Sequence, residues 1–153
     1  MHPAHKALPP AAALLILSFL GIADAAYLAT AAMDQSALSC SVSGLDGCNT
    51  VAQSVYSHVL GIPLANFGVV FYALFFILAG AYLVMSVPSL ARILKIFGVF
   101  GIAASVVFML VQFILIKALC IYCLGSALVA LLIFLTTRLL PRHLILPKAV
   151  VLG

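Results

Sequence analysis

The sequence predicts an all-α membrane protein: a bundle of four transmembrane helices with an extracytoplasmic loop that contains a short amphipathic helix. Three observations lead to this fold class. Hydrophobic residues occupy 67% of the 153 positions and charged residues only 7%, whereas a soluble domain is about a quarter charged. The chain contains four apolar runs, each close to the roughly 20 residues that cross a bilayer. The one sizeable polar stretch separates the first two runs.

The four apolar runs are predicted to form the transmembrane helices. They cover residues 11–33, 64–87, 96–116 and 119–140. A short basic turn over residues 88–95 is expected between the second and third helices. The sequence Ala23-Asp24-Ala25 in the first run also resembles the cleavage site of a signal peptide. We expect a retained helix instead, because the apolar run continues to Ala32 and an aspartate is unusual at such a site.

The length of the chain fits one membrane domain with short extensions. Residues 1–10 are expected to form a polar head, residues 11–140 the membrane domain and residues 141–153 the tail. Within the domain, residues 34–63 are expected to form the loop. The sequence contains neither a soluble domain nor a fused partner domain, so any partner protein is expected to be a separate chain.

The loop is predicted to contain the amphipathic helix. Asn49-Thr50 can cap a helix that runs to Leu60. Its apolar positions repeat every four residues: Val51, Val55 and Val59. Such a helix would rest on the bundle or on the membrane surface. Gly61 and Pro63 are expected to end it.

The basic residues predict the orientation of the bundle. Four spans place both termini on one side, and six of the seven Lys and Arg residues then share that side. These six are Lys6, Arg92, Lys95, Arg138, Arg142 and Lys148. Lys117 lies opposite, with Asp34 and Asp46. By the positive-inside rule both termini are cytoplasmic, and all the cysteines are extracytoplasmic. Charge placed in this way favours a membrane partner and argues against nucleic-acid binding.

The four cysteines form two spaced pairs. Cys120 and Cys123 make a CxxC motif where the fourth apolar run begins. Two thiols three positions apart on a helical turn can close a disulfide with little strain, and a helix N-terminus favours the thiolate. Cys40 and Cys48 lie in the loop. Two pairs on one face permit thiol–disulfide exchange in series, from a soluble partner at the loop to a lipid-soluble oxidant at the helix end.

Two other interpretations of the cysteines were considered. A zinc site with four thiolate ligands is disfavoured, because structural zinc pairs are separated by about two to four residues and Cys40 and Cys48 enclose seven. We therefore expect no metal. Two structural disulfides that hold the loop in place are the second interpretation. Structural disulfides rarely occupy a helix end in CxxC spacing, so a redox role is favoured.

Further short motifs accompany the cysteines in a particular order. Ser54 follows Cys48 by six residues. The others are Gly21-Ile22-Ala23-Asp24-Ala25-Ala26-Tyr27-Leu28, Gly61-Ile62-Pro63-Leu64, Phe67-Gly68 and Phe71-Tyr72, followed by the CxxC. In this order they resemble the vitamin K epoxide reductase (VKOR) family, in particular its stand-alone bacterial and archaeal type. The resemblance covers nearly the whole chain, from about residue 11 to 140. Another family of four-helix quinone-linked disulfide oxidases has its CxxC in the first loop, which is the reverse order.

The resemblance implies a role for each cysteine. Cys123 would react with a quinone held inside the bundle, and Cys120 would exchange with the loop through Cys48. Cys40 would be the thiol that first meets the reduced partner. Ser54 matches a loop Ser or Thr of the family that supports quinone reduction. From the residues alone, a helix Ser that bonds its own backbone is an equal alternative.

Two positions depart from the family pattern. The animal enzymes carry an Asn at the start of the second span and a Tyr after the CxxC, and both bind the quinone carbonyls. The corresponding positions here are Leu64 and Ala127, and Asn66 is near but not aligned. These departures disfavour epoxide reduction and warfarin-type recognition. Simple quinone reduction is unaffected by them.

Other residues complete the predicted site. An apolar quinone slot is expected from four aromatic side chains, although helix packing is the more common role of such residues. They are Phe67, Phe71, Phe108 and Phe113. Asp24 lies within the first span, where a carboxylate is costly and often functional; it is expected either to pass protons to the quinone or to be a bonded structural group. Lys117 is expected to lower the pKa of Cys120 or to anchor the helix end.

The sequence therefore predicts a membrane thiol–disulfide oxidoreductase. It would accept electrons from a separate thioredoxin-fold or other extracytoplasmic disulfide-exchange protein and pass them to ubiquinone or menaquinone (vitamin K), so that disulfide formation is supported. The first alternative is a vitamin K quinone or epoxide reductase. The second is a non-catalytic membrane protein with structural disulfides.

Overall fold

Long helices account for most of the described chain. The computed structural model describes residues 4–40 and 46–140. Its helices are α1 (Ala4–Met33), α2 (Cys48–Ala52), α3 (Leu64–Met85), α4 (Pro88–Leu110) and α5 (Ile121–Leu139). The remaining elements are a 3₁₀ turn (Val55–Ser57), two short antiparallel strands, β1 (His58–Val59) and β2 (Ile62–Pro63), and a π-helical segment (Val111–Ile116). Four helices in these ranges are long and apolar enough to cross a membrane, which confirms the predicted all-α bundle.

Two helices begin earlier than the sequence predicted. α1 starts at Ala4 and includes Pro9 and Pro10, so most of the predicted polar head is helical. α4 starts at Pro88, and the predicted basic turn over 88–95 is wrong because those residues form the first turns of this helix. Proline is well suited to the first position of a helix, since an N–H group at that position has no partner within the helix and proline lacks this group. The predicted tail over 141–153 lies outside the described residues.

The α3–α4 connection is consequently very short. Ser86 ends α3 in the left-handed conformation, with φ of 50°, and Val87 is extended. Arg92 and Lys95 therefore lie on α4. The Lys95 ammonium donates a hydrogen bond of 2.9 Å to the carbonyl of Leu140, at the end of α5. This contact joins α4 to α5 at the end of the bundle that is remote from the CxxC.

The helices pack closely where one of them carries a small residue. An added Cβ at Gly101 would lie 2.8 Å from the Phe71 ring, and one at Gly21 would lie 2.5 Å from the Tyr72 ring. Small residues permit such close approach in membranes, where dispersion contacts hold helices together. Many apolar side chains point outward instead, for example Val84 at 85% exposure. A lipid-facing surface accounts for this large exposed apolar area.

The loop does not contain the predicted amphipathic helix over 49–60. α2 has only five residues, and the chain continues through the 3₁₀ turn into a hairpin formed by β1 and β2. The Ser57 hydroxyl lies 2.6 Å from the carbonyl of Ala52 and 2.8 Å from that of Ser54. Serine side chains compete in this way for carbonyls that would otherwise accept helical hydrogen bonds. Gly61, with φ of 79°, forms the hairpin turn together with Leu60 rather than ending a helix.

Candidate functional site

The loop packs directly against the start of α5. The Gly47 N–H donates to the carbonyl of Leu119 at 3.1 Å, and Asp46 pairs with Cys120 in an isolated antiparallel bridge. An added Cβ at Gly47 would lie 2.8 Å from the Cβ of Ala118, so a glycine permits this close contact. The backbone pairing places the loop cysteines next to the CxxC, which the sequence could predict only as a shared face.

A second set of contacts holds the chain that precedes Cys40. Asn49 does not cap α2; its side-chain oxygen accepts from the Leu38 N–H at 2.8 Å, and its amide donates to the Leu38 carbonyl at 3.3 Å. The Tyr122 hydroxyl, inside the CxxC, donates to the carbonyl of Ser39 at 2.8 Å. The loop is therefore fixed to the start of α5 just before Cys40 and just before Cys48.

The two cysteine pairs are in different redox states. Cys40 and Cys48 form a disulfide, with their Cα atoms 6.3 Å apart. Cys120 and Cys123 are free thiols. Cys48 and Cys120 are 0% and 1% exposed and belong to one buried cluster. The disulfide and the CxxC thus lie against each other in one buried cluster, close enough for exchange between them.

The local structure around Cys120 favours its thiolate. Cys120 is the N-cap residue of α5, and the Cys123 N–H donates to its sulfur at 3.5 Å. Hydrogen bonding by the Cys123 thiol, with further help from the backbone N–H groups of Cys123 and Tyr122, lowers the pKa of the Cys120 thiol from 9.0 to about 7. Burial and the charge of Asp24 oppose this change. Lys117 is exposed in a left-handed turn, and its predicted effect on Cys120 stays a prediction.

Gln112 is a part of the site that sequence reasoning missed. It lies in the π-helical segment, is 4% exposed, and its side-chain oxygen accepts from the Cys120 N–H at 3.2 Å. The backbone carbonyl of Gln112 accepts from the Ala118 N–H at 3.3 Å, which closes the turn before α5. An amide within an apolar run was the available signal, because polar groups at membrane depth are rare and usually bonded.

A cavity of about 340 Å³ lies between the helices and the loop. This volume is within the range of small-ligand pockets. Three of the four predicted aromatic residues line it: Phe67, Phe71 and Phe108. The prediction for Phe113 is wrong, since this ring is 70% exposed and lies in a separate surface cleft beside Lys117. Phe113 is not buried in the cavity because it belongs to the π-helical segment. Side chains there point in other directions than they would in a regular α-helix.

Several of the predicted site residues reach this cavity. Its lining includes Cys48, Ser54, Cys120 and Cys123. The two positions that depart from the family pattern, Leu64 and Ala127, also line it. The wall is therefore apolar where the animal enzymes carry an Asn and a Tyr.

The Ser54 hydroxyl forms a hydrogen bond with the backbone of its own segment. Its hydroxyl donates to the carbonyl of Val51 at 2.7 Å, which is the local bond that the sequence offered as an alternative. The residue nevertheless lines the cavity, so its hydroxyl oxygen can still accept a hydrogen bond. Its role in quinone reduction stays a prediction.

Asp24 lies on α1 next to two polar residues of the cavity wall. The Ser126 side chain interacts with its carboxyl group. The Tyr72 hydroxyl lies 3.0 Å from the Ser126 hydroxyl. Tyr72 and Ser126 line the cavity, whereas Asp24 does not. Asp24 is thus connected to the cavity wall through Ser126 and Tyr72.

The described residues contain no cluster of three or more His, Cys, Asp or Glu side chains that could hold a metal ion. Within the loop pair, each sulfur is bonded to the other. A zinc site with four thiolate ligands is incompatible with this arrangement, because a disulfide sulfur cannot act as a thiolate ligand.

A family model described as the vitamin K epoxide reductase family matches residues 12–138, which is most of the chain. The chain belongs to this family. A search of the curated proteins finds no match. Membership of the VKOR family implies a membrane redox enzyme, in agreement with four membrane-spanning helices and a disulfide next to a CxxC pair.

Proposed function

We propose that this VKOR-family protein oxidises the dithiol of a separate thioredoxin-fold partner and passes the electrons to a membrane quinone. The observation that carries the proposal is the buried meeting of an oxidised loop pair with a reduced CxxC pair on the wall of an apolar cavity. The loop gives the site a route to a protein, and the cavity gives it a route to a lipid-soluble molecule. The net reaction is partner dithiol plus quinone to partner disulfide plus hydroquinone.

Electron entry begins with both cysteine pairs oxidised. A partner thiolate attacks the sulfur of Cys40, and Cys48 leaves as a thiolate. Cys48 then attacks Cys120 of the CxxC disulfide, and Cys123 leaves. The second partner thiol resolves the bond to Cys40, which in turn attacks Cys48 and releases Cys120. The partner has lost two electrons, and the protein is in the state that the structure shows, with the loop oxidised and the CxxC reduced.

Electron exit takes place inside the cavity. The Cys123 thiol adds to the quinone and gives its proton to a quinone oxygen, and the Cys120 thiolate then attacks the sulfur of Cys123 to form the CxxC disulfide. The quinone leaves with both electrons and is protonated to the hydroquinone. Cys120 is suited to the second attack, because its lowered pKa supplies thiolate near neutral pH.

The composition of the cavity supports a quinone over an epoxide. The side chains of Leu64 and Ala127 offer no hydrogen bond to a substrate oxygen, so the two polar contacts of the animal enzymes are missing at these positions. Quinone reduction needs an apolar slot next to an electron donor. Phe71 and Phe108 contribute to such a slot, and Cys123 supplies the electrons.

The distribution of charge supports an extracytoplasmic site. Arg92, Lys95 and Arg138 belong to the ends of α4 and α5 that are remote from the CxxC. Basic residues concentrate on the cytoplasmic side of a membrane protein. The two cysteine pairs then face an oxidising compartment, in which a disulfide-forming partner operates.

The test is a steady-state assay of the purified protein with a reduced thioredoxin-fold protein as donor and a short-chain quinone as acceptor. We expect loss of quinone absorbance in proportion to partner thiols oxidised. Vitamin K epoxide offered as the acceptor is expected to react far more slowly. An equal or faster reaction with the epoxide would support the alternative function, and inert cysteines would support a structural role.

Filling the cavity is expected to weaken quinone binding. Ala104 of α4 lines the cavity, whereas Ala103 beside it is exposed on the outside of the bundle. Ala104→Phe should raise the KM for quinone by about tenfold or more, because a ring displaces part of the slot at a cost of about 1.4 kcal/mol or more in binding. Ala103→Phe, the matched control, should leave the KM unchanged. Equal KM values for the two variants would contradict the assignment of the cavity.

The thiolate of Cys120 is expected to titrate near neutral pH. Its lowered pKa means that the thiolate is present above about pH 7 and is lost as the pH falls through that value. Thiolate ultraviolet absorbance, taken as the difference between the protein and Cys120→Ala, should show this midpoint. In Cys123→Ala the midpoint should move toward 9.0, since the largest cause of the shift is removed. A midpoint that is the same in both proteins would show that Cys123 does not stabilise the thiolate.

A further inference from the structure

A row of polar side chains crosses the apolar bundle beside the CxxC. Asp24 on α1, Tyr72 on α3 and Ser126 on α5 meet where these three helices pack together. Ser126 follows Cys123 by three residues, so the two side chains share one face of α5. Burial of three polar groups at one level in an apolar bundle is costly in free energy. Polar groups at membrane depth commonly have a chemical role.

The row is held in place by close packing. The Tyr72 ring lies against Gly21, where an added Cβ would come within 2.5 Å of it, and the residue is 4% exposed. Gly21 precedes Asp24 by three residues and therefore lies on the same face of α1. The position of the Tyr72 hydroxyl is fixed by this contact rather than by solvent.

The hydrogen bonds form a continuous chain. The Tyr72 hydroxyl donates to the Ser126 carbonyl at 3.0 Å, so at the same time it accepts from the Ser126 hydroxyl, also at 3.0 Å. The Ser126 hydroxyl in turn bonds to the Asp24 carboxyl group when that group is ionised, and its oxygen has lone pairs that can accept from the protonated form. Among the described residues, the Oδ2 atom of Asp24 has no hydrogen-bond partner. A proton held on this carboxyl group can therefore pass through Ser126 to Tyr72, which is a residue of the cavity lining.

Oxidation of the CxxC pair supplies one proton, whereas reduction of a quinone to the hydroquinone needs two. When Cys120 is a thiolate and Cys123 a thiol, their oxidation to the disulfide delivers two electrons but a single proton. The quinone would leave as a hydroquinone monoanion, and an anion in an apolar cavity is strongly disfavoured. A second proton has to come from a group on the cavity wall.

We propose that Asp24, Ser126 and Tyr72 form a proton relay that supplies this second proton. Tyr72 gives its proton to the hydroquinone oxygen and takes one from Ser126, which takes one from the Asp24 carboxylic acid. The resulting Asp24 carboxylate recovers its proton from water. The inference rests on the proposed function and adds Tyr72 and Ser126 to its residues. Tyr72 touches the substrate in this scheme, whereas Asp24 acts through the other two.

The test measures the two half-reactions separately in the full-length protein, with short-chain ubiquinone as the probe. Asp24→Asn and Tyr72→Phe should each lower kcat for quinone reduction by about 100-fold, the usual contribution of a positioned proton donor, with the KM unchanged. The solvent deuterium isotope effect on kcat should rise in both variants, since proton delivery becomes rate-limiting. Reduction of the loop disulfide by a small dithiol should proceed at the wild-type rate.

Tyr82→Phe is the matched control for Tyr72→Phe. Tyr82 also lies on α3, is 1% exposed, and its hydroxyl has no hydrogen-bond partner among the described residues. The control should keep the wild-type kcat and isotope effect. A wild-type kcat in both Asp24→Asn and Tyr72→Phe would overturn the relay while the proposed function stands. Equal losses in both half-reactions would also overturn it, because they would indicate a structural role. A wild-type protein that is inert toward quinone would overturn the proposed function itself.

Discussion

Replacement of Cys123 by alanine is expected to abolish quinone reduction. Cys123 lines the cavity and, in the proposed mechanism, forms the covalent bond to the quinone. Loss of a covalent nucleophile costs on the order of 10⁴-fold or more in turnover. Cys120→Ala should also abolish turnover, for another reason: Cys123 can still add to the quinone, but no thiol resolves the adduct. Quinone absorbance measures turnover, and mass spectrometry of the intact protein detects the adduct.

Leu124→Ala provides the control for this experiment. Leu124 is the neighbour of Cys123 on α5, but its side chain is 43% exposed and is absent from the cavity lining. It should retain wild-type turnover. Quinone reduction that persists in both cysteine variants would contradict the mechanism, because no electron donor for the cavity would then be identified.

Replacement of Cys40 by alanine is expected to separate the two donors. Cys48 and Cys120 are almost fully buried and Cys123 lines the cavity, so we expect a protein partner to attack the partly exposed Cys40. Turnover with a reduced thioredoxin-fold protein should fall by about 100-fold or more, since the entry disulfide cannot form. Turnover with a small dithiol should be retained, because such a molecule can enter the cavity and reduce the CxxC directly. Thiols oxidised per unit time are measured with each donor.

The control for Cys40→Ala is Ser39→Ala, a change at the exposed residue next to it. The contact of Ser39 with Tyr122 uses its backbone carbonyl, so the substitution leaves that bond in place. Both donors should drive the control at wild-type rates. Equal loss with both donors in Cys40→Ala would show that the loop pair does more than receive electrons from the partner.

The bundle could be predicted from the sequence because its signal is local. Four apolar runs of bilayer length, and charges placed mainly at one end, depend only on residues near one another in the chain. The start of α4 was misplaced for an equally local reason. Arg92 and Lys95 indicated a turn, but Pro88 fits the first position of a helix and the turn needs only Ser86 and Val87.

The loop could not be predicted, because local and distant bonds override its helical pattern. The valine spacing favoured a helix over 49–60, but the Ser54 and Ser57 hydroxyls take carbonyls of α2 as acceptors. Asn49 was expected to cap a helix, but its side chain bonds to Leu38, eleven residues away in the chain. A period of four residues records which side chains could share a face and carries no information on such bonds.

The cysteines of the candidate site could be predicted from the sequence, but most of the polar residues that contact them could not. The CxxC, the loop pair and the family motifs are short sequence patterns, so their residues could be named in advance. Gln112 and Ser126 belong to the site through contacts with Cys120 and Asp24 that bring separate helices together. A polar residue within an apolar run predicts a hydrogen-bond partner, but the identity of that partner depends on the tertiary packing.

The central claim, transfer of electrons from the CxxC to a quinone, is tested most directly by an anaerobic single turnover. The protein is prepared with the loop oxidised and the CxxC reduced, as in the structure, and is mixed with one equivalent of quinone. Thiols are then alkylated and mapped as hydroquinone appears. We expect one Cys120–Cys123 disulfide for each hydroquinone, with the Cys40–Cys48 disulfide unchanged. Hydroquinone formed while Cys120 and Cys123 both remain as thiols would contradict the account.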